Sequence, residues 1–154
     1  MTEAWRNYDA RRPLPPLLGE VKDIAIDELH RRLSEEGFDE IRPSHGCVFR
    51  FVDRDGSRLT DLATRSGFTK QAVGEVADDL QTRGYVERAP DPGDRRAKII
   101  RLTDRGQEAQ AAAMRIFADI ERRWEKRYGK ERITLLREML EEIVAVERAP
   151  AEAA

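Results

Sequence analysis

A single cysteine, Cys47, among 154 residues leaves no room for a disulfide framework. The only two histidines are His30 and His45, so a zinc site would have to draw on several carboxylates, and none is expected. Aromatic residues are scarce at 6%, which permits only a thin core. No stretch approaches the ~20 apolar residues that a membrane span requires. The opening MTEAWRNYDARRP is too polar for a secretory apolar region, so a cytoplasmic address without membrane contact is expected. No Gly-rich phosphate loop, Ser-His-Asp arrangement or paired-carboxylate motif stands out, so neither enzymatic chemistry nor a cofactor is called for. Low-complexity segments and fixed-period repeats are missing too.

Charge is what the chain has in abundance. Charged residues make up 38%, yet the formal net charge is only −2. Between Ser57 and Gly106 ten basic residues face eight acidic ones, and Arg83 to Arg105 alone holds seven against four. The rest of the chain is acidic in balance, with eighteen basic and twenty-two acidic residues. Positive charge gathered in the middle third suggests a local patch for an anionic partner. Of the 28 basic residues 23 are arginine, which genomic base composition explains as readily as function.

Two helical arms flank this block. Leu14, Leu17, Leu18, Val21, Ile24, Ala25, Leu29 and Leu33 recur at three- and four-residue spacing after prolines suited to a helix entrance, and Gly37 ends the run. A second helix is expected from Pro43, carrying Cys47, Val48, Phe49, Phe51 and Val52 inward until Asp53 to Gly56 breaks it. Beyond the block, Ala109, Ala113, Ile116, Phe117, Ile120 and Trp124 mark a helix from about Asp104 to Arg127. After Tyr128-Gly129, the residues Ile133, Leu136, Met139, Leu140, Ile143 and Val144 mark the last. Stripes this long outrun a small domain, so a second copy of the chain is the simplest cover; a monomeric bundle folded on itself is the alternative.

Inside the block, two short helices are expected between Leu59 and Arg83, interrupted at Gly67. Ala63, Gly67 and Val73 fall at the fifth, ninth and fifteenth positions of a twenty-residue helix-turn-helix that begins at Leu59. The alanine lets the helices cross closely, the glycine supplies a positive φ, and the valine closes the core between them. Leu59, Leu62 and Ala63 form one inner face and Ala72, Val73, Val76 and Leu80 the other. Thr69 is placed to cap the second helix, which points Lys70, Gln71, Gly74, Glu75 and Asp78 outward. Thr69, Lys70 and Gln71 are then the candidate base-reading residues, since the first turn of a recognition helix enters the major groove. A merely solvated helix start reads the same way. Tyr85 to Arg88 and Lys98 to Thr103 alternate as strands around the turn Asp91-Pro92-Gly93-Asp94. A hairpin so placed is a wing whose tip carries Asp94, Arg95 and Arg96, suited to the negative potential of a minor groove. Asp94 is placed to hold Arg96 by a bidentate ion pair, or else simply to stabilise the turn.

The stretch from Asp91 to Gly106, DPGDRRAKIIRLTDRG, resembles the wing signature of the MarR (multiple antibiotic resistance regulator) family. Leu62-Ala63, Thr69 to Val73, Leu80 and Arg83-Gly84-Tyr85-Val86 match in order and spacing, so the resemblance covers residues 57–106. It implies a mainly α (α+β) fold: a winged helix-turn-helix with long N- and C-terminal dimerisation helices. The layout would be N-terminal helices over 13–56, a DNA-binding lobe over 57–106 and C-terminal helices over 104–148, intertwined as one domain. It further implies a cytoplasmic homodimeric transcription regulator, expected to be a repressor, that binds double-stranded DNA. Thr69, Lys70, Gln71, Asp94, Arg95, Arg96 and Lys98 would contact DNA. Gly74 departs from the pattern, because that outward site often holds a side chain able to touch DNA. The resemblance also implies release by a small, often aromatic effector, for which Trp5, His45, Phe49 and Trp124 are candidate lining residues.

Three other readings stand beside this one. A winged helix can serve as a protein-interaction module without sequence-specific DNA binding. A regulator could respond to oxidant through Cys47, which would need an exposed, acidified thiol. An enzyme around His45 is the third, but His45 and Cys47 lie two apart and do not share a helix face.

Overall fold

The structure is a computed structural model that describes residues 12–149. It divides into two compact units, with the boundary on one long helix between Arg115 and Ile116.

The first unit opens with α1 (Leu14–Glu35), entered through prolines that need no amide partner. A 3-10 turn (Pro43–His45) runs into the single-turn helix α2 (Gly46–Phe49). The expected second helix is therefore much shorter than its apolar run. Amide bonds from Arg50 to Gly46 and from Val52 to Val48 keep helical spacing, but Phe51 bonds Val48 three residues back. The β-branched and aromatic sequence Val48 to Val52 gives such a helix little propensity to continue.

Next comes a two-residue strand, β1 (Ser57–Arg58), which the sequence pattern missed because two residues carry no periodicity. Helices α3 (Leu59–Ser66) and α4 (Lys70–Thr82) follow as expected, hinged on Gly67 at φ +75°. The hairpin of β2 (Val86–Asp91) and β3 (Asp94–Leu102) completes an antiparallel sheet in the order β1-β3-β2. Both strands run further toward the tip than expected, so that Asp91 pairs Asp94 and only Pro92 and Gly93 form the loop.

Val48, Leu62, Val73, Leu80 and Tyr85 are fully buried and centre the core of this lobe. Ala77, not expected at the inner face, joins them. Gly74 is half-buried, not outward: a Cβ there would sit 3.6 Å from Leu59 Cδ2, against the neighbouring helix. The Phe49 ring meets Tyr85 edge-on at 6.2 Å, and the Arg105 guanidinium lies over Tyr85 at 5.0 Å while donating to its hydroxyl.

Helix α5 (Asp104–Tyr128) leaves the lobe against Tyr85, and α6 (Lys130–Glu147) follows Gly129. In the second unit Ile116 and Ile120 are buried, and Arg137 on α6 donates to Glu121 on α5 at 2.9 Å. Helix α6 itself has no buried residue, and Leu135, Leu136, Met139, Ile143, Val144 and Val146 stand exposed along it. Leu14, Leu17, Val21 and Ile24 do the same on α1, where only Leu29 and Leu33 are buried.

Candidate nucleic-acid interface

Helix α4 begins at Thr69, whose extended backbone and hydroxyl cap it; Oγ1 accepts from the Ala72 amide at 3.1 Å. Lys70 and Gln71 are exposed in the first turn, and Gln71 Nε2 donates weakly to Glu75 at 3.3 Å. Lys70 has no partner among the described residues.

Carboxylates on this helix would repel a phosphate chain, and two of them are occupied. Arg88 on β2 donates to Asp78 at 2.5 Å and to Gln81 at 3.0 Å. Arg83 Nε reaches both oxygens of Asp79 at 3.0 Å. That bond, helped by His45, holds the Asp79 carboxyl below the usual carboxylate range.

The wing is braced by an acid that the sequence did not single out. One oxygen of Asp91 accepts the Gly93 amide at 2.9 Å and the other accepts Arg58 Nε at 2.6 Å. The Gly93 amide first, and then Arg58, depress the Asp91 pKa. Strand β1 thereby anchors the hairpin tip to the body of the lobe. The only sequence signal was Arg58 itself, uninterpretable until β1 pairs with β3.

Asp94 behaves differently from the expectation of a bidentate ion pair. Its carboxylate accepts the backbone amide of Arg96 at 3.0 Å, closing a local turn that leaves the guanidinium free. Arg95, Arg96 and Lys98 are exposed, and no ion pair holds them among the described residues. The wing tip thus presents unpartnered cations on a braced hairpin.

The candidate effector residues are dispersed in role. Trp5 lies outside the described residues. Phe49 packs on Tyr85, and its carbonyl accepts from Gln110 at 2.8 Å. Trp124 is half-buried on α5 in the second unit. His45 is 2% exposed and belongs to the 3-10 turn, not to the helix that follows. Its ring borders a cleft of about 350 Å³ whose other walls include Arg42, Cys47, Phe68, Ala72 and Val76. The Cys47 thiol is buried and burial pushes its pKa up, which is the setting of a small hydrophobe and not of a reactive thiolate. Among the described residues no helix is long and apolar enough to cross a membrane, and no cluster of metal-binding side chains occurs.

Three helices with a braced, cation-tipped hairpin define a winged helix-turn-helix. Residues 41–97 match the family model described as MarR family. The transcriptional regulator HosA of Escherichia coli O111:H- is 24% identical over 106 residues, covering 69% of this chain and 78% of HosA. The transcriptional repressor CouR, solved with a 23-mer DNA duplex, is 25% identical with a TM-score of 0.68, covering 86% of this chain and 92% of CouR. CouR from Rhodococcus jostii RHA1 solved with p-coumaroyl-CoA gives 20% identity and a TM-score of 0.71, over 97% of this chain and 99% of CouR. The reduced form of MarR from E. coli gives 20% identity and a TM-score of 0.72, over 88% of this chain and 99% of MarR. Over residues 41–97 the chain is similar to the MarR family, and its fold is that of the winged-helix regulators above.

Proposed function

We propose that this regulator works as a homodimer that occupies a pseudo-palindromic operator and so represses transcription in the cytoplasm. Thr69, Lys70 and Gln71 enter the major groove of each half-site, with half-site centres about one turn, ~10 bp, apart. Arg95, Arg96 and Lys98 meet phosphates and the adjacent minor groove, and Asp94 shapes the turn that presents them. The observation that carries this reading is the set of unpartnered cations at the tip of a hairpin braced by Arg58 and Asp91. The helices over 13–56 and 104–148 serve dimerisation around the 57–106 lobe, and the exposed apolar residues of α1 and α6 support that assignment.

A small aromatic effector is part of the proposal. CouR has been solved with p-coumaroyl-CoA, and His45, Phe49 and Trp124, with Trp5, are the aromatic residues here offered to such a ligand. Binding would have to favour a dimer geometry in which both recognition helices no longer fit successive grooves.

The test is Arg96→Ala against fragments selected from the source genome by the purified protein. Affinity should fall and the salt dependence should lose about one unit of slope, with dimer mass and helicity unchanged. Unaltered affinity across a salt titration removes Arg96 from the interface. A protein that selects no DNA sequence at any salt concentration is an interaction module instead.

A further inference from the structure

His45, buried in the lobe, ties the turn before α2 to the recognition helix. Its Nδ1 accepts the Arg42 amide at 3.0 Å, which requires that nitrogen to carry no proton. The proton therefore sits on Nε2, which donates to Asp79 Oδ2 at 2.7 Å. Asp79 is at the same time gripped by Arg83, which follows the last residue of α4. Arg42, His45, Asp79 and Arg83 thus form one chain of contacts from the 3-10 turn to the helix that carries Lys70 and Gln71. The ring is enclosed, and the charged groups that face it are Arg42 from the turn, Asp79 from α4 and Arg83 just beyond it. Glu75 of α4 and the Cys47 thiol of α2 border the same cleft.

We infer that His45 is a positioning residue for DNA binding, and that taking up one proton on Nδ1 opens the turn that steadies the recognition helix, while the Asp79 contact persists as an ion pair, and so weakens operator binding. This inference rests on the DNA-binding reading above. The added proton turns Nδ1 from acceptor into donor, facing the Arg42 N–H, so the two groups repel and the turn must open. Burial opposes the charged ring more than the Asp79 carboxylate favours it, and His45 accordingly titrates below the ordinary histidine range. The neutral, clamped form is complete above that range and is lost as the medium is acidified.

Operator affinity measured from pH 8 to pH 5 at fixed ionic strength tests this, with helicity followed in parallel. Wild-type affinity should fall on acidification, by at most about tenfold per pH unit for a single linked proton. His45→Gln should bind with a flat profile over the same window. His30→Gln removes the other histidine of the chain, half-buried against the Ile41 carbonyl at 3.0 Å, and should keep the wild-type profile. Asp79→Asn withdraws the charge that favours the imidazolium, so the fall should begin at lower pH, a displacement that a purely structural role for Asp79 would not produce. Parallel profiles for wild type and His45→Gln, or a profile abolished by His30→Gln, overturn the inference while leaving the DNA-binding reading intact. Absence of selective binding at pH 8 in wild type removes both.

Discussion

Gly106 occupies a place that no other residue fits. A Cβ there would fall well inside contact distance of the Tyr85 carbonyl oxygen, which also accepts the Thr103 amide at 3.1 Å. The first turn of α5 is thereby pressed onto the end of the recognition-helix lobe. Gly106→Ala should cost about 3 kcal/mol in urea denaturation, at the upper end for overpacking, because the obstructing atom is backbone and cannot rotate away. A loss under ~1 kcal/mol would mean that α5 can slide off Tyr85. Thr69 acts through its hydroxyl in the same local manner. Thr69→Ala should lower stability by ~1 kcal/mol, and Thr69→Ser should restore most of it.

The wing behaves as one element because its tip is tied to a strand outside the hairpin. Arg58→Gln should leave global stability nearly unchanged, since the Arg58 side chain is 45% exposed. It should nevertheless speed amide exchange at residues 94–97 and weaken DNA binding several-fold, because Arg95 and Arg96 lose their fixed direction. Unchanged exchange rates would show that the hairpin holds itself. The depressed Asp91 pKa gives the pH dependence of this brace. The carboxylate form is favoured by folding, so the contribution is complete above the usual carboxylate range and fades only as pH falls through the lowered value. At neutral pH the brace is fully engaged, and its acid limit lies below the usual carboxylate range.

The proposed dimer depends on the face that α6 leaves open. Six large apolar residues stand exposed along it, a face that a second copy of the chain would cover. Ile143→Glu should shift the sedimentation mass from twice 17.7 kDa toward a single chain. Operator binding should fall with it, since each half-site is then bound alone and the avidity is lost. Wild-type sedimentation at 17.7 kDa under working concentrations would refute the dimeric reading.

Helix entry at the prolines, the break at Gly67, the cap at Thr69 and the wing turn were all legible in the chain. Each depends on a backbone preference expressed within a few residues. The helices and hairpin of the central lobe followed from spacing and turn chemistry, whereas its candidate DNA contacts rest also on the resemblance to the MarR family. Four features were not legible: the two-residue β1, the truncation of α2, the half-burial of Gly74 and the brace from Arg58 to Asp91. Apart from the truncation of α2, which is local, these arise between segments up to 43 positions apart, as where Ser57 pairs Ile100, and packing and pairing geometry there choose among locally acceptable alternatives. The same holds for His45. Its identity is plain in the chain, but its single proton and its hold on the recognition helix exist only because folding carries Asp79 to within hydrogen-bond distance and shuts out water.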